Sequence, residues 1–87
     1  MSDVTPAELR HPATLELLRW FDFDHLPPFL QAVAEPCQRL AFNLTDSLPD
    51  GPELTAGLRK LLEAKDCFVR QTLLAHTQAA AVLAALD

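Results

Sequence analysis

The chain has 87 residues and a formal net charge of −5, and 49% of its residues are hydrophobic. A chain this short supports one domain and buries only about 60% of its unfolded surface. We therefore expect part of its apolar surface to lie in a subunit interface and predict a homo-oligomer. The acidic balance argues against DNA or RNA as a partner, because nucleic-acid binding depends on basic patches that neutralise phosphates.

Targeting, membrane and metal signals are missing from the sequence. The first residues, MSDVTPAELR, lack the basic start and apolar core of a signal peptide. No apolar run approaches the ~18 residues that span a bilayer. Cys37 and Cys67 are thirty residues apart, which is neither a disulfide framework nor a metal-ligand spacing. We expect a cytoplasmic protein with no membrane partner, no metal and no cofactor.

Residue usage predicts an all-α fold. Alanine, leucine, glutamate, glutamine, arginine and lysine dominate, and strand signals are almost absent. The segment Thr5 to Glu8 predicts a capping box that begins a helix. Pro12 interrupts that helix, so a second short helix is predicted from about Pro12 to Phe21. One domain, residues 1–87, thus begins with a helical segment over residues 1–21.

Two long helices are predicted next, over residues 27–48 and 52–86. Pro36 should kink the first, and a capping box with Asp50 as N-cap and Glu53 reaching back should begin the second. Because the turn is short, the fold class is an antiparallel helical hairpin with a short N-terminal helix or helices, assembling into a homo-oligomer. The predicted apolar stripes are Leu30, Val33, Cys37, Leu40 and Leu44 on the first helix, and Leu54, Leu58, Leu61 and Phe68 beside Leu62, Val69 and Leu73 on the second.

No enzyme signature accompanies these helices, and we predict no catalytic residue. The histidines are scattered, and no two share the i, i+4 face that a metal site would use. A nucleophilic cysteine needs exposure and a neighbouring base. Cys37 and Cys67 lie on apolar stripes, so we expect both thiols to be buried and inert.

Aromatic and basic residues offer a binding function instead. Phe21 either plugs the open end of the hairpin or joins a site. Phe23, shortly before Pro27 and Pro28, presents a ring that could stack on a nucleobase. Stacking of this kind contributes ~1–3 kcal/mol per base. Lys65 falls on an apolar stripe, where it either pairs with an acid or lines a cavity between subunits. Arg39 and Arg70 are either solvated charges or phosphate clamps.

Three segments resemble a known family. FDFDHLP (21–27), LPDGPE (48–53) and LRKLLEAKDCFVR (58–70) are similar to the small helical-hairpin "sponge" proteins of phages, which counter the CBASS and Thoeris defences. The resemblance covers about fifty residues. It implies a homo-oligomer, commonly a hexamer, that binds cyclic oligonucleotide or cyclic ADP-ribose-type immune messengers between protomers and sequesters them without cleavage.

The resemblance also implies a ligand site. Phe23 matches the family aromatic residue that stacks on a base. Tyrosine is common at that position in the family, so the hydrogen bond of the tyrosine hydroxyl is lost in this chain and stacking alone remains. Gln38 and Arg39 lie near a basic phosphate contact of the first long helix, and Arg70 lies near a basic residue that lines a pocket in some members. Lys65 replaces a commonly apolar residue. The expected ligand-binding residues are Phe23, His25, Gln38, Arg39, Lys65 and Arg70.

Two functions therefore stand as expectations. The first is an anti-defence sponge that acts in the host cytoplasm on a cyclic nucleotide messenger. The alternative is a helical protein–protein interaction module or adaptor without a nucleotide ligand, whose exposed stripe engages a partner helix. The sponge depends on the aromatic and basic residues above, and the adaptor depends on Leu62, Val69 and Leu73.

Overall fold

A computed structural model of the protein describes residues 10–86. This part of the chain forms three α-helices, α1 (Pro12–Arg19), α2 (Pro28–Ser47) and α3 (Pro52–Ala85), and contains no strand. The prediction of an all-α protein is confirmed. The helix start predicted at Thr5 to Glu8 lies outside the described residues.

Proline begins every one of these helices. Pro12, Pro28 and Pro52 each occupy the first helical turn. Proline suits this position because its fixed φ matches the helix and its missing N–H would have no intrahelical partner. At the start of α1, the Nδ1 atom of His11 also accepts a hydrogen bond from the N–H of Ala13 at 3.1 Å.

The capping box predicted for α3 is wrong. Gly51, not Asp50, is the N-cap of α3, and within residues 10–86 no side-chain capping hydrogen bond forms there. The Asp50 carboxylate instead accepts a hydrogen bond from the backbone N–H of His11 at 3.3 Å. Asp50 therefore ties the turn before α3 to the segment before α1, which local sequence spacing does not reveal.

The core lies where the three helices meet. One hydrophobic cluster joins them. It consists of Leu18 of α1, Phe21 just after α1, Ala41 of α2, and Leu54 and Leu58 of α3. Phe21 is fully buried, as expected of a side chain that plugs the packing of the helices. Burial of a phenylalanine or leucine side chain contributes roughly 1.5–3 kcal/mol, so these few residues carry much of the stability.

The stripe predicted on α2 is wrong in its second half. Leu40 and Leu44 are 46% and 37% exposed, whereas Ala41 and Thr45 are fully buried. At Ala41 the physical reason is packing, because Leu18 and Phe21 approach α2 there and need a small side chain. A leucine at this position would hold the helices apart, and Leu40 and Leu44 instead line a groove beside α3.

Helix α3 is much longer than α2. It has 34 residues against 20 in α2, so the two helices are about 51 Å and 30 Å long at a rise of 1.5 Å per residue. The ring of Phe29, in the first turn of α2, stacks on the His76 imidazole with centroids 4.3 Å apart. All residues from 77 to 86 are exposed. We call residues 77–86 the free end of α3.

Leu58→Ala tests the position of the core. Leu58 is only 2% exposed, and truncation of a buried leucine costs about 2–5 kcal/mol because a cavity replaces its contacts. We expect that loss in the free energy of unfolding from urea titration. Leu74→Ala, at an exposed position of the same helix, is the matched control and should change stability by less than ~0.5 kcal/mol. Equal effects of the two variants would contradict the assigned core.

Candidate functional site

A cavity of about 270 Å³ lies between the loop after α1 and the middle of α3. We call it the basic cavity, because three basic side chains line it. Its α3 wall presents residues at i, i+1, i+4 and i+5 spacing, which share one helix face. The loop supplies His25 and Leu26, and α3 supplies Lys65, Asp66, Val69 and Arg70.

Two hydrogen bonds at Leu26 fix the second half of the loop that carries His25. The N–H of Leu26 donates to the carbonyl of Phe23 at 2.9 Å, which closes a tight turn. The side-chain amide of Gln31, in α2, donates to the carbonyl of Leu26 at 2.7 Å. The loop is thereby anchored to the first turns of α2, and His25 stands exposed at its tip.

Lys65 is the buried cation of the site. It is only 8% exposed, and its ammonium donates to the backbone carbonyl of Trp20 at 2.8 Å. The same nitrogen lies 3.6 Å from the Asp66 carboxylate and 5.9 Å from the centroid of the Phe21 ring. A charge removed from water needs such partners. Lys65 therefore joins the end of α1 to the middle of α3 and places a positive charge at the wall of the cavity.

Arg70 is the exposed cation of the site. Its guanidinium donates to the Sγ of Cys67 at 3.3 Å, and a thiol sulfur is a weak acceptor. Within residues 10–86 no carboxylate forms an ion pair with Arg70. Because a guanidinium has five N–H donors, most of its donors remain free for an anion.

Three of the predicted ligand-binding residues lie elsewhere. Arg39 is exposed and pairs with Glu35 of the same helix at 3.3 Å, an arrangement typical of a solvated helix surface. Phe23 and Gln38 are half-buried, and neither lines the basic cavity. The cavity thus brings together His25, Lys65 and Arg70, and it separates them from Phe23, Gln38 and Arg39.

Asp66 is the polar residue of the cavity that the sequence prediction missed. Its carboxylate lies beside the Lys65 ammonium, and it stands four residues before Arg70, on the same helix face. That spacing was the available signal. Asp66 gives the cavity a hydrogen-bond acceptor among its donors.

The two cysteines differ in exposure. Cys37 is half-buried, and burial raises the pKa of its thiol, while the charge of Lys65 opposes that shift. Cys67 is exposed, so the prediction that both thiols are buried is wrong for Cys67. The reason is that the α3 stripe turns outward beyond Lys65: the neighbouring Phe68 is 55% exposed.

Comparison with known proteins adds no relative. No protein-family model, no curated protein and no solved structure matches the chain. Within the described part of the chain, no three histidine, cysteine, aspartate or glutamate side chains are grouped closely enough to hold a metal ion. No helix between residues 10 and 86 has the length and apolar character needed to cross a membrane.

Lys65→Ala tests the buried cation. The substitution removes the hydrogen bond to the Trp20 carbonyl, and hydrogen bonds to charged groups contribute about 1.5–3 kcal/mol. We expect a loss of that size in the free energy of unfolding. Lys60→Ala, an exposed lysine of the same helix, should lose less than ~0.5 kcal/mol. A Lys65→Ala protein as stable as Lys60→Ala would show that the ammonium does not join α1 to α3.

Thiol alkylation tests the difference between the cysteines. The thiolate is the reactive species, so burial and a raised pKa both slow the reaction of Cys37. We expect iodoacetamide to label Cys67 well before Cys37 in the native protein at pH 8, with the sites identified by peptide mass spectrometry. In denaturant the two rates should converge. Faster native labelling of Cys37 would contradict the assigned packing.

Proposed function

We propose that the protein is a non-enzymatic sponge for a cyclic nucleotide messenger, of the cyclic oligonucleotide or cyclic ADP-ribose type. We also propose that it belongs to the phage anti-CBASS and anti-Thoeris sponge family. The observation that carries the proposal is the basic cavity, where His25, Lys65 and Arg70 converge on an acidic protein. Guanidinium and ammonium donors suit the phosphate groups of such a messenger.

The residues of the basic cavity have separate roles in the proposed recognition. Arg70, whose donors are largely free, is the phosphate contact. Lys65 is held in place by Trp20 and supplies a fixed positive charge with little loss of side-chain entropy on binding. Asp66 offers an acceptor for a ribose hydroxyl or an amino group of a base. This acceptor favours a nucleotide over inorganic phosphate.

The size of the cavity supports an assembled site. Ligand pockets generally span ~300–1,000 Å³, and the basic cavity of one chain has about 270 Å³. The cavity is thus at the small end of this range, and we propose that a neighbouring protomer completes the pocket in the homo-oligomer, a hexamer by the family resemblance. Phe23, Gln38 and Arg39 remain candidates for the part that the neighbour contributes.

The proposed protomer is an antiparallel helical hairpin of α2 and α3. Two contacts support it. Leu48 and Leu54, on either side of the turn, line the same groove, and Phe29 at the start of α2 stacks on His76 far along α3. Only residues 48–51 separate the two helices, and so short a connection favours antiparallel neighbours.

The proposed mechanism is sequestration by mass action in the cytoplasm. Binding sites in excess of the messenger hold its free concentration below the level at which a defence effector responds. No bond is made or broken, so denaturation of the complex releases the messenger intact. Affinity and abundance together set the protection, and rate enhancement plays no part.

The second candidate is the protein-interaction module. Exposed apolar side chains along α3, among them Phe68, Leu73 and Leu74, favour it. Of the residues on which the adaptor depended, only Leu73 is exposed, since Leu62 and Val69 are half-buried. Such a module would bind no nucleotide and would lose its partner on Leu73→Asp.

Arg70→Ala tests the sponge. Loss of one charge-assisted hydrogen bond, about 1.5–3 kcal/mol, should weaken the best-bound cyclic nucleotide about 10- to 100-fold in calorimetric titration. Arg59→Ala is the matched control, because Arg59 is an exposed arginine of α3 that lines a different cavity, and it should leave the affinity within about twofold. Unchanged affinity in Arg70→Ala would remove the basic cavity as the ligand site.

A further inference from the structure

We propose that the free end of α3 in one protomer docks into an apolar groove between α2 and α3 of a second copy of the chain. The proposal rests on the homo-oligomer of the proposed function and names the two surfaces that form it. The surfaces lie in different parts of the protomer, so the contact is head-to-tail.

The groove is a cavity of about 170 Å³ near the turn between α2 and α3. One wall is a row of leucines at four-residue spacing, and each is between 37% and 46% exposed. Its only charged lining residue within the described chain is Glu53. The leucines are Leu40, Leu44 and Leu48 on the α2 side, and Leu54, Leu58 and Leu61 on α3.

Gly57 forms an opening in this groove. Glycine weakens a helix interior relative to alanine, and Gly57 has no positive φ that would require it. A Cβ atom at Gly57 would meet no other heavy atom within 4 Å. The described part of the chain therefore gives no internal reason for glycine at this position. A close approach by another molecule is such a reason, because glycine leaves the backbone accessible.

The free end of α3 has the chemistry to fill the groove. From Gln71 to Leu86 the sequence has no aspartate, glutamate, lysine or arginine. Val82, Leu83 and Leu86 are between 60% and 77% exposed, and their spacing of i, i+1 and i+4 places them on one helix face. The free end continues α3, and this exposed apolar face is the kind of surface that marks an interaction site.

The two surfaces also match in length and dipole. From Leu40 to Leu48 the groove wall runs for about 12 Å, and the ten residues of the free end run for about 15 Å. The first turn of α3 has no side-chain cap, and its last turn has no basic residue. If the docked end runs antiparallel to α3, the negative end of one helix lies beside the positive end of the other.

A free end that fills the groove must come from a second molecule of the chain. Gly57 and Leu83 lie on the same helix, about 39 Å apart along its axis. A continuous helix cannot fold back by that distance, so a protomer cannot fill its own groove with its own free end. Each protomer thus offers one groove and one free end. Head-to-tail contacts of this kind form a ring when the rotation between protomers closes and an open filament when it does not.

Two substitutions test the contact from its two sides. Gly57→Leu fills the groove, and Leu83→Asp places a charge on the free end. Both positions are exposed, so circular dichroism should show unchanged helix content. We expect each variant to sediment as a monomer in analytical ultracentrifugation at a concentration at which the unaltered protein is an oligomer.

Matched controls place the same side chains on the opposite faces. Glu63→Leu adds a leucine on the far side of α3, and Ala81→Asp adds a carboxylate on the far side of the free end; both positions are exposed. Both controls should retain the mass of the unaltered protein. Dissociation of the controls together with the test variants would overturn the proposal.

Mixing the two monomeric variants tests the head-to-tail geometry. The Leu83→Asp protein keeps an intact groove, and the Gly57→Leu protein keeps an intact free end. An equimolar mixture should therefore form a 1:1 complex, although neither variant associates alone. An unaltered protein that stays monomeric, variants that keep its mass, or a mixture without a complex would each overturn the proposal.

Titration with cyclic nucleotides separates this contact from the sponge function. If the unaltered protein binds a cyclic nucleotide while Gly57→Leu and Leu83→Asp remain oligomers, the sponge stands and the docking contact fails. If both variants become monomers and mix as described while no nucleotide binds the unaltered protein, the docking contact stands and the sponge fails.

Discussion

Burial of the Lys65 ammonium is the interaction on which the site depends. A cation removed from water is costly unless hydrogen bonds and opposite charge compensate it. The Trp20 carbonyl and the Asp66 carboxylate provide that compensation. Because Trp20 ends α1, the same contact decides where the following loop begins. Gln31 fixes the other end of that loop, so one buried charge and one amide position His25 over α3.

Successive parts of helix α3 have different roles. Its first third, with Leu54 and Leu58, completes the small core. Its middle presents Lys65 and Arg70 to the basic cavity. Its free end is exposed throughout and presents an uncharged apolar surface. A chain of 87 residues has little core to share, so we infer that assembly supplies what one protomer lacks, both for enclosing a ligand and for covering the free end.

The sequence predicts those features that local chemistry decides. The helices follow from residue usage, and each begins at a proline that the sequence displays. Lys65 is conspicuous in the sequence because it interrupts an apolar stripe, and it proves to be buried. Features set by distant contacts are not predictable in this way. The burial of Ala41 in place of the neighbouring Leu40 depends on where Leu18 and Phe21 pack.

The sequence predicts the residue types of the candidate site but not which of them lie together. Basic residues are recognisable one by one, but which of them converge depends on the loop after α1. His25 and Arg70 meet at the cavity, whereas Arg39 pairs with Glu35 on another surface. The sequence does not indicate Asp66 as a site residue, because an acidic residue beside a lysine is typical of a surface ion pair. In the structure Lys65 is buried, and Asp66 beside it lies in the cavity wall.

The proposed sponge function is best tested by calorimetric titration of the unaltered protein. The ligands are a panel of cyclic dinucleotides, cyclic trinucleotides and cyclic ADP-ribose isomers. The bound ligand is then released with denaturant and weighed by mass spectrometry. We expect saturable binding of one nucleotide class and recovery of that nucleotide with its mass unchanged. A folded protein that binds no member of the panel, or a ligand recovered as a cleavage product, would contradict it.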